Sequence, residues 1–89
     1  MYKVDWTSKF KKDYKKIIKQ GKAKIVDSVI EKLERGENLE SRFRDHALQG
    51  IYKGSRECHI EPDLLLIYKK SDDILVLTCL RVGSHSELF

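Results

Sequence analysis

Histidine is the side chain best suited to act as acid or base near neutral pH. This chain of 89 residues carries three, His46, His59 and His85, all in its second half. His59 lies in Arg56-Glu57-Cys58-His59-Ile60-Glu61-Pro62-Asp63, and His85 in the tail Arg81-Val82-Gly83-Ser84-His85-Ser86-Glu87-Leu88-Phe89. Arg56 and Arg81 add planar forks that match phosphate oxygens. These residue types suit metal-free cleavage of RNA, in which a 2′-hydroxyl attacks its own adjacent phosphate. That reaction needs a proton acceptor for the hydroxyl, a donor for the departing 5′-oxygen, and cations around the phosphorane. A zinc site is the other chemistry that three imidazoles suggest. Spacings of 13 and 26 with no cysteine pair argue against it, because structural zinc ligands come in close pairs. No metal and no cofactor is expected.

Several elements must position these groups. Tyr2, Val4 and Trp6 alternate as in a strand. Thr7 or Ser8 caps a helix with Phe10, Tyr14, Ile17 and Ile18 on one face, and Gly21 stops it. A second helix, about Lys22 to Arg35, carries the stripe Ile25, Val26, Val29, Ile30 and Leu33 and closes at Gly36. Both stripes read as core, packed against a sheet. From Gly36 to Gly50 the chain is charged and rich in turn-formers, with Leu39, Phe43 and Leu48 as anchors, a length that is often functional. His46 sits there and, taken alone, reads as a surface histidine beside Asp45. Strands are expected at Ile51 to Lys53, Arg56 to Glu61, Leu64 to Lys69 and Ile74 to Val82. Pro62 ends one strand at the rim where His59 stands. The fold class is α+β: two N-terminal helices on one face of a mainly antiparallel sheet of four to five strands, in a single domain, 1–89.

Lysine is unevenly placed. Eight lysines lie between Thr7 and Lys24 against Asp13 alone, which leaves the rest of a +4 chain acidic. Lys11, Lys12 and Lys15 would hold a polyanion in a salt-dependent way. Cys58 and Cys79 lack metal or redox spacing and read as reduced core residues. Glu57 and Glu61 alternate with His59 on one face, and solvation is the simpler account of both. No apolar run is long enough for a membrane span, and the start has no signal-peptide pattern, so a cytoplasmic protein without a membrane partner is expected. Glycine-rich phosphate loops, nucleophile elbows and internal repeats are absent.

The runs Arg44-Asp45-His46-Ala47-Leu48-Gln49-Gly50, Tyr52-Lys53-Gly54, Arg56 to Tyr68 and Arg81 to Phe89 closely resemble the YafQ branch of the RelE/ParE toxin superfamily. The resemblance covers essentially the whole chain. It implies a microbial-ribonuclease-like fold and a toxin of a type II toxin–antitoxin module that cleaves mRNA, typically on the ribosome. It also implies a cognate antitoxin that neutralises the toxin by binding and with it represses the operon, so that operator DNA is met only through that complex. The active positions it implies are His46, His59, Asp63, His85 and Phe89, with Arg81 at the end of the last strand. Leu64 stands where the branch often has tryptophan, and Ala47 where it often has proline. The competing class is a binding module of the same fold that holds nucleic acid or gyrase without cutting, since a fold does not by itself give a reaction.

Overall fold

The computed structural model describes residues 1–89. Strand β1 (Lys3–Trp6) passes straight into helix α1 (Ser8–Lys19). The junction is Thr7, extended at the N-cap, whose hydroxyl accepts from the Phe10 backbone N–H at 3.0 Å and donates to the Leu80 carbonyl at 2.8 Å. One side chain thus satisfies a helix-end donor and ties the helix to the sheet. Gly21, at a φ of 74° that residues with a Cβ avoid, turns the chain into α2 (Ala23–Glu34). The Tyr14 hydroxyl donates to Asp27 across the two helices at 2.5 Å, and burial together with this bond pushes the phenol up to about 12.

The remaining elements are β2 (His46–Ala47), β3 (Arg56–Glu61), β4 (Leu64–Ser71), β5 (Val76–Gly83) and a terminal turn of helix, α3 (His85–Leu88). They form one five-stranded sheet in the order β1-β5-β4-β3-β2, antiparallel except for the parallel pair β1 and β5. The architecture is α+β, with α1 and α2 on one face as the sequence pattern requires.

The helix-covered face holds the main core, where Phe10, Ile17, Val26, Val29 and Leu33 meet Cys58, Leu66, Tyr68, Leu77 and Cys79. Each large side chain so buried stabilises the fold by about 1.5–3 kcal/mol. Both cysteines are free and fully buried there, and burial pushes each thiol up to about 12. The opposite face has a smaller cluster, Leu65, Ile67 and Leu88, lined by Leu48, Tyr52 and Leu80. Central β4 is therefore buried on both sides, which explains its unbroken apolar run from Leu64 to Tyr68.

Four expectations need correction. Ile51 to Lys53 is no strand: Gly50–Tyr52 forms a 3₁₀ turn after Gly50 takes a φ of 69°, and Ile51 is 94% exposed. β5 begins at Val76 rather than Ile74, because Leu75 turns left-handed at a φ of 53° and leaves Ile74 in solvent. Ile18 and Ile25 lie outside the core, at 55% and 38% exposure. The segment between Gly36 and Gly50 is not structureless, since it contains a 3₁₀ turn at Ser41–Phe43 and all of β2. No helix is long and apolar enough to cross a membrane.

Candidate active site

Residues that face each other across a sheet share one side of it, and register does the gathering here. His46 opposes Glu57, Glu57 opposes Ile67, and His59 opposes Leu65. All three polar side chains therefore stand on the face away from the helices, above Leu65 and Ile67. His85 joins them because β5 brings Gly83 opposite Leu65, and Ser84 then caps α3 in a reciprocal capping box with Glu87. The three imidazoles lie in a row, His46 to His59 at 6.1 Å and His59 to His85 at 5.7 Å between ring centroids, and Phe89 follows 6.2 Å from His85.

Each ring is held differently. His85 Nδ1 lies 3.2 Å from Asp63 Oδ1, which also accepts from the His85 backbone N–H at 3.0 Å. That backbone bond first, and the imidazole second, hold the Asp63 carboxyl below its ordinary value. Asp63 is thus an ionised acceptor that orients His85 and leaves its Nε2 to the outside. His46 donates from Nδ1 to the Arg44 carbonyl at 2.6 Å, not to its neighbour Asp45. Asp45 instead accepts from Arg56 at 3.1 Å and from the Tyr68 hydroxyl at 2.7 Å. Arg44 has a left-handed backbone, φ 49° and ψ 41°, a conformation costing about 1–2 kcal/mol for a residue with a Cβ.

Glu57 is the residue that the sequence reading misplaced. Its alternation with His59 was visible, but it is only 4% exposed rather than solvated. Its Oε1 lies 3.1 Å from His59 Nε2 and 3.6 Å from His46 Nε2. β2, which the sequence did not announce, covers it. One ligand atom each from His46, Glu57 and His59 falls within 4.8 Å of the others, so these three residues can hold a metal ion. The 13-residue gap between the two histidines, which argued against such a site, is closed by the β2–β3 register.

Both expected phosphate forks already have carboxylate partners. Arg56 is paired with Asp45, and Arg81 makes a two-toothed contact with Asp13 of α1 at 2.7 and 3.2 Å. Asp13 also accepts from the Val82 backbone N–H at 3.1 Å, so this pair staples α1 to β5. Arg81 sits beside Tyr52 in a small cleft with Thr7 and Ser55, and the Tyr52 ring meets Phe89 edge-on at 5.7 Å. Phe89 is 63% exposed. Lys11, Lys12 and Lys15 are exposed on α1, with no carboxylate in ion-pair reach.

A family model described as the bacterial toxin of type II toxin–antitoxin system, YafQ, matches residues 2–89. The chain belongs to the YafQ family. It is 34% identical over 90 residues to the mRNA interferase toxin YafQ of Escherichia coli (strain B / BL21-DE3), covering 97% of this chain and 94% of that one. A match to the strain K12 protein of the same name is 47% identical over 51 residues and spans 57% of this chain and 53% of that one. The crystal structure of a metal-bound toxin from Helicobacter pylori superposes with a TM-score of 0.91 at 40% identity over the full length of both chains. A chain of the E. coli DinJ–YafQ complex does so with a TM-score of 0.88 at 33% identity, covering 100% of this chain and 99% of that one. Both solved structures share the whole fold.

Proposed function

We propose that this chain is an mRNA endonuclease toxin that cleaves ribosome-bound mRNA by general acid–base catalysis and is neutralised by a cognate antitoxin. The observation that carries the reading is the row of three imidazoles, His46 and His85 exposed and His59 half-buried between them, whose outer member, His85, is oriented by the ionised Asp63. The mRNA interferase name of the E. coli relatives and the DinJ complex support the activity and the antitoxin partner. In the proposed reaction a base from the His46–Glu57–His59 group takes the 2′-proton, and the 2′-oxygen then bonds to the adjacent phosphorus. His85 Nε2 gives a proton to the departing 5′-oxygen as the P–O5′ bond breaks, leaving a 2′,3′-cyclic phosphate and a 5′-hydroxyl. Asp63 serves as orienter rather than base. Arg81, paired with Asp13, stands beside Tyr52, and Tyr52 and Phe89 offer a base an aromatic surface. Lys11, Lys12 and Lys15 hold the strand by its phosphates.

The test is cleavage of a ribosome-bound message carrying one 2′-deoxynucleotide at the scissile position. The mechanism predicts that this single substitution abolishes the cut. Persisting cleavage would mean that water is the nucleophile, and no new 5′ ends on an all-ribose message would leave only a binding module.

A second reading rests on the convergence of His46 Nε2, Glu57 Oε1 and His59 Nε2. Two imidazoles and a carboxylate suit zinc, copper or nickel, and the metal-bound Helicobacter relatives agree with it. Such an ion would occupy the nitrogen lone pairs that accept the 2′-proton and so inhibit cleavage. Titrating the purified protein with zinc should lower its cleavage rate, and chelator should restore it. A rate indifferent to zinc would dispose of this reading.

A further inference from the structure

The chain has five arginines, and four are tied to carboxylates: Arg35 to Glu37, Arg42 to Glu40, Arg56 to Asp45 and Arg81 to Asp13. Arg44 has no such partner and is exposed. It lines a groove of about 380 Å³ with Phe43, His59, Ile60, Glu61 and Pro62, immediately beside the histidine row. The one carboxylate of that groove, Glu61, is paired with Lys22 at 2.9 Å, and Arg42 lies over the Phe43 ring at 4.5 Å. The groove thus presents one uncompensated guanidinium next to the central imidazole, and a guanidinium left free in this way is a ready ligand for a phosphate oxygen.

The backbone of the same residue does something separate. A carbonyl oxygen only accepts, so the 2.6 Å contact between His46 Nδ1 and the Arg44 carbonyl places a proton on Nδ1, and in the neutral ring the lone pair is then on Nε2. The left-handed turn at Arg44 brings that carbonyl back toward a ring two residues on. The Glu57 carboxylate separates the two rings by distance: it lies 3.1 Å from His59 Nε2, where it calls for a proton, and 3.6 Å from His46 Nε2, too far for a hydrogen bond.

We propose that Arg44 has two functions in the nuclease reaction: its backbone carbonyl makes His46 the base by holding it in the Nδ1–H tautomer, and its guanidinium binds a phosphate of the RNA strand in the groove beside His59. This deepens the nuclease reading and rests on it. His46 is then the base and His85 the acid, and His59 neighbours both rings.

Substitutions at Arg44 separate the two functions, because glycine and asparagine adopt a left-handed backbone readily and valine does not. Binding is measured with a single-stranded oligoribonucleotide carrying a 2′-deoxy scissile position, as a function of salt. Arg44→Gly and Arg44→Asn should each weaken binding roughly two- to fivefold, as for an exposed ion pair, and flatten the logarithmic salt slope by about 0.7. Arg44→Lys should keep the slope. On all-ribose message, Arg44→Gly should lower kcat/KM through KM, with the single-turnover rate at saturation held within about twofold, while Arg44→Val should lose at least about tenfold in that saturated rate. ¹⁵N NMR should show His46 of the wild type and of Arg44→Gly protonated at Nδ1 and bare at Nε2, and a tautomer mixture in Arg44→Val. An unchanged salt slope in Arg44→Gly overturns the phosphate contact. A wild-type His46 protonated at Nε2 overturns the positioning function, and this needs no variant to fold. If the wild type cut no RNA, the nuclease reading itself would fall, and the NMR and binding results would still be readable.

Discussion

Glu57→Gln is the perturbation that separates a folded chain from a working site. The substitution keeps shape and volume, and it replaces a carboxylate 3.1 Å from His59 and 3.6 Å from His46 with a neutral amide. An amide nitrogen facing His59 Nε2 would set two donors against each other, and an amide oxygen there would lack the charge that holds the ring. Either way His59 loses its anchor, and His46 loses the negative charge beside its Nε2. Positioned acid–base groups contribute roughly 10²–10⁴-fold, so loss of the group that orients His59 and sets the charge beside His46 should slow single-turnover cleavage by about 10²-fold, or about 2.7 kcal/mol at 1.36 kcal/mol per decade. Stability should move far less. Glu57 is nearly fully buried, and glutamine keeps its volume, so the substitution opens no cavity and removes a buried charge without adding one. A change of about 1 kcal/mol would shift Tm by about 4–8 °C in a domain of this size. The assay pairs cleavage of ribosome-bound message with thermal unfolding, and Glu57→Leu repeats it with an apolar side chain. A wild-type rate in Glu57→Gln, or a rate loss no greater than its loss of folded protein, would refute the claim that Glu57 orients His59 for the reaction.

The α1 surface should act on affinity and not on chemistry: Lys11→Gln, Lys12→Gln and Lys15→Gln together should weaken RNA binding and flatten the salt slope by about 2, with the cut position unchanged on a primer-extension map. Phe89→Ala removes an exposed ring that meets Tyr52 edge-on; circular dichroism should show an intact domain while cleavage falls, and wild-type turnover would make the ring a bystander. The lowered Asp63 carboxyl gives a signed pH dependence. Because its folded value lies below the ordinary one, its hold on His85 is fully present above the usual carboxylate range and is lost only as pH falls through the lowered value. The His85 amide resonance should report that loss at low pH in the wild type and not in Asp63→Asn.

Much of the fold was legible because local signals agreed with one another. The apolar run of β4 and the alternation of β3 mark strands, and Thr7 with the Phe10, Tyr14 and Ile17 spacing marks α1. Failures came where tertiary contacts overrode local preference. Ile51 and Ile74 have strand-forming side chains, yet both are exposed, in a 3₁₀ turn and in the turn after β4. The histidine positions were visible from residue type and family resemblance, and the row they make depends on a two-residue strand, His46–Ala47, too short to leave a periodic signature. Glu57 looked like a surface residue because nothing local predicts that β2 will cover it. Arg56 and Arg81 looked like open phosphate forks because their partners, Asp45 and Asp13, stand 11 and 68 residues away. Arg44, in the same tripeptide as His46, drew no notice because its left-handed backbone has no side-chain signal.

The central claim is that His85 protonates the leaving 5′-oxygen. It is tested most directly with a message whose scissile 5′-oxygen is replaced by sulfur, a leaving group that departs without a proton. On the ordinary message, His85→Ala should lose roughly 10²–10⁴-fold in single-turnover rate. On the sulfur message its rate should return to near that of the wild type, while His46→Ala stays slow on both. Equal defects of His85→Ala on the two messages would show that His85 is not the acid.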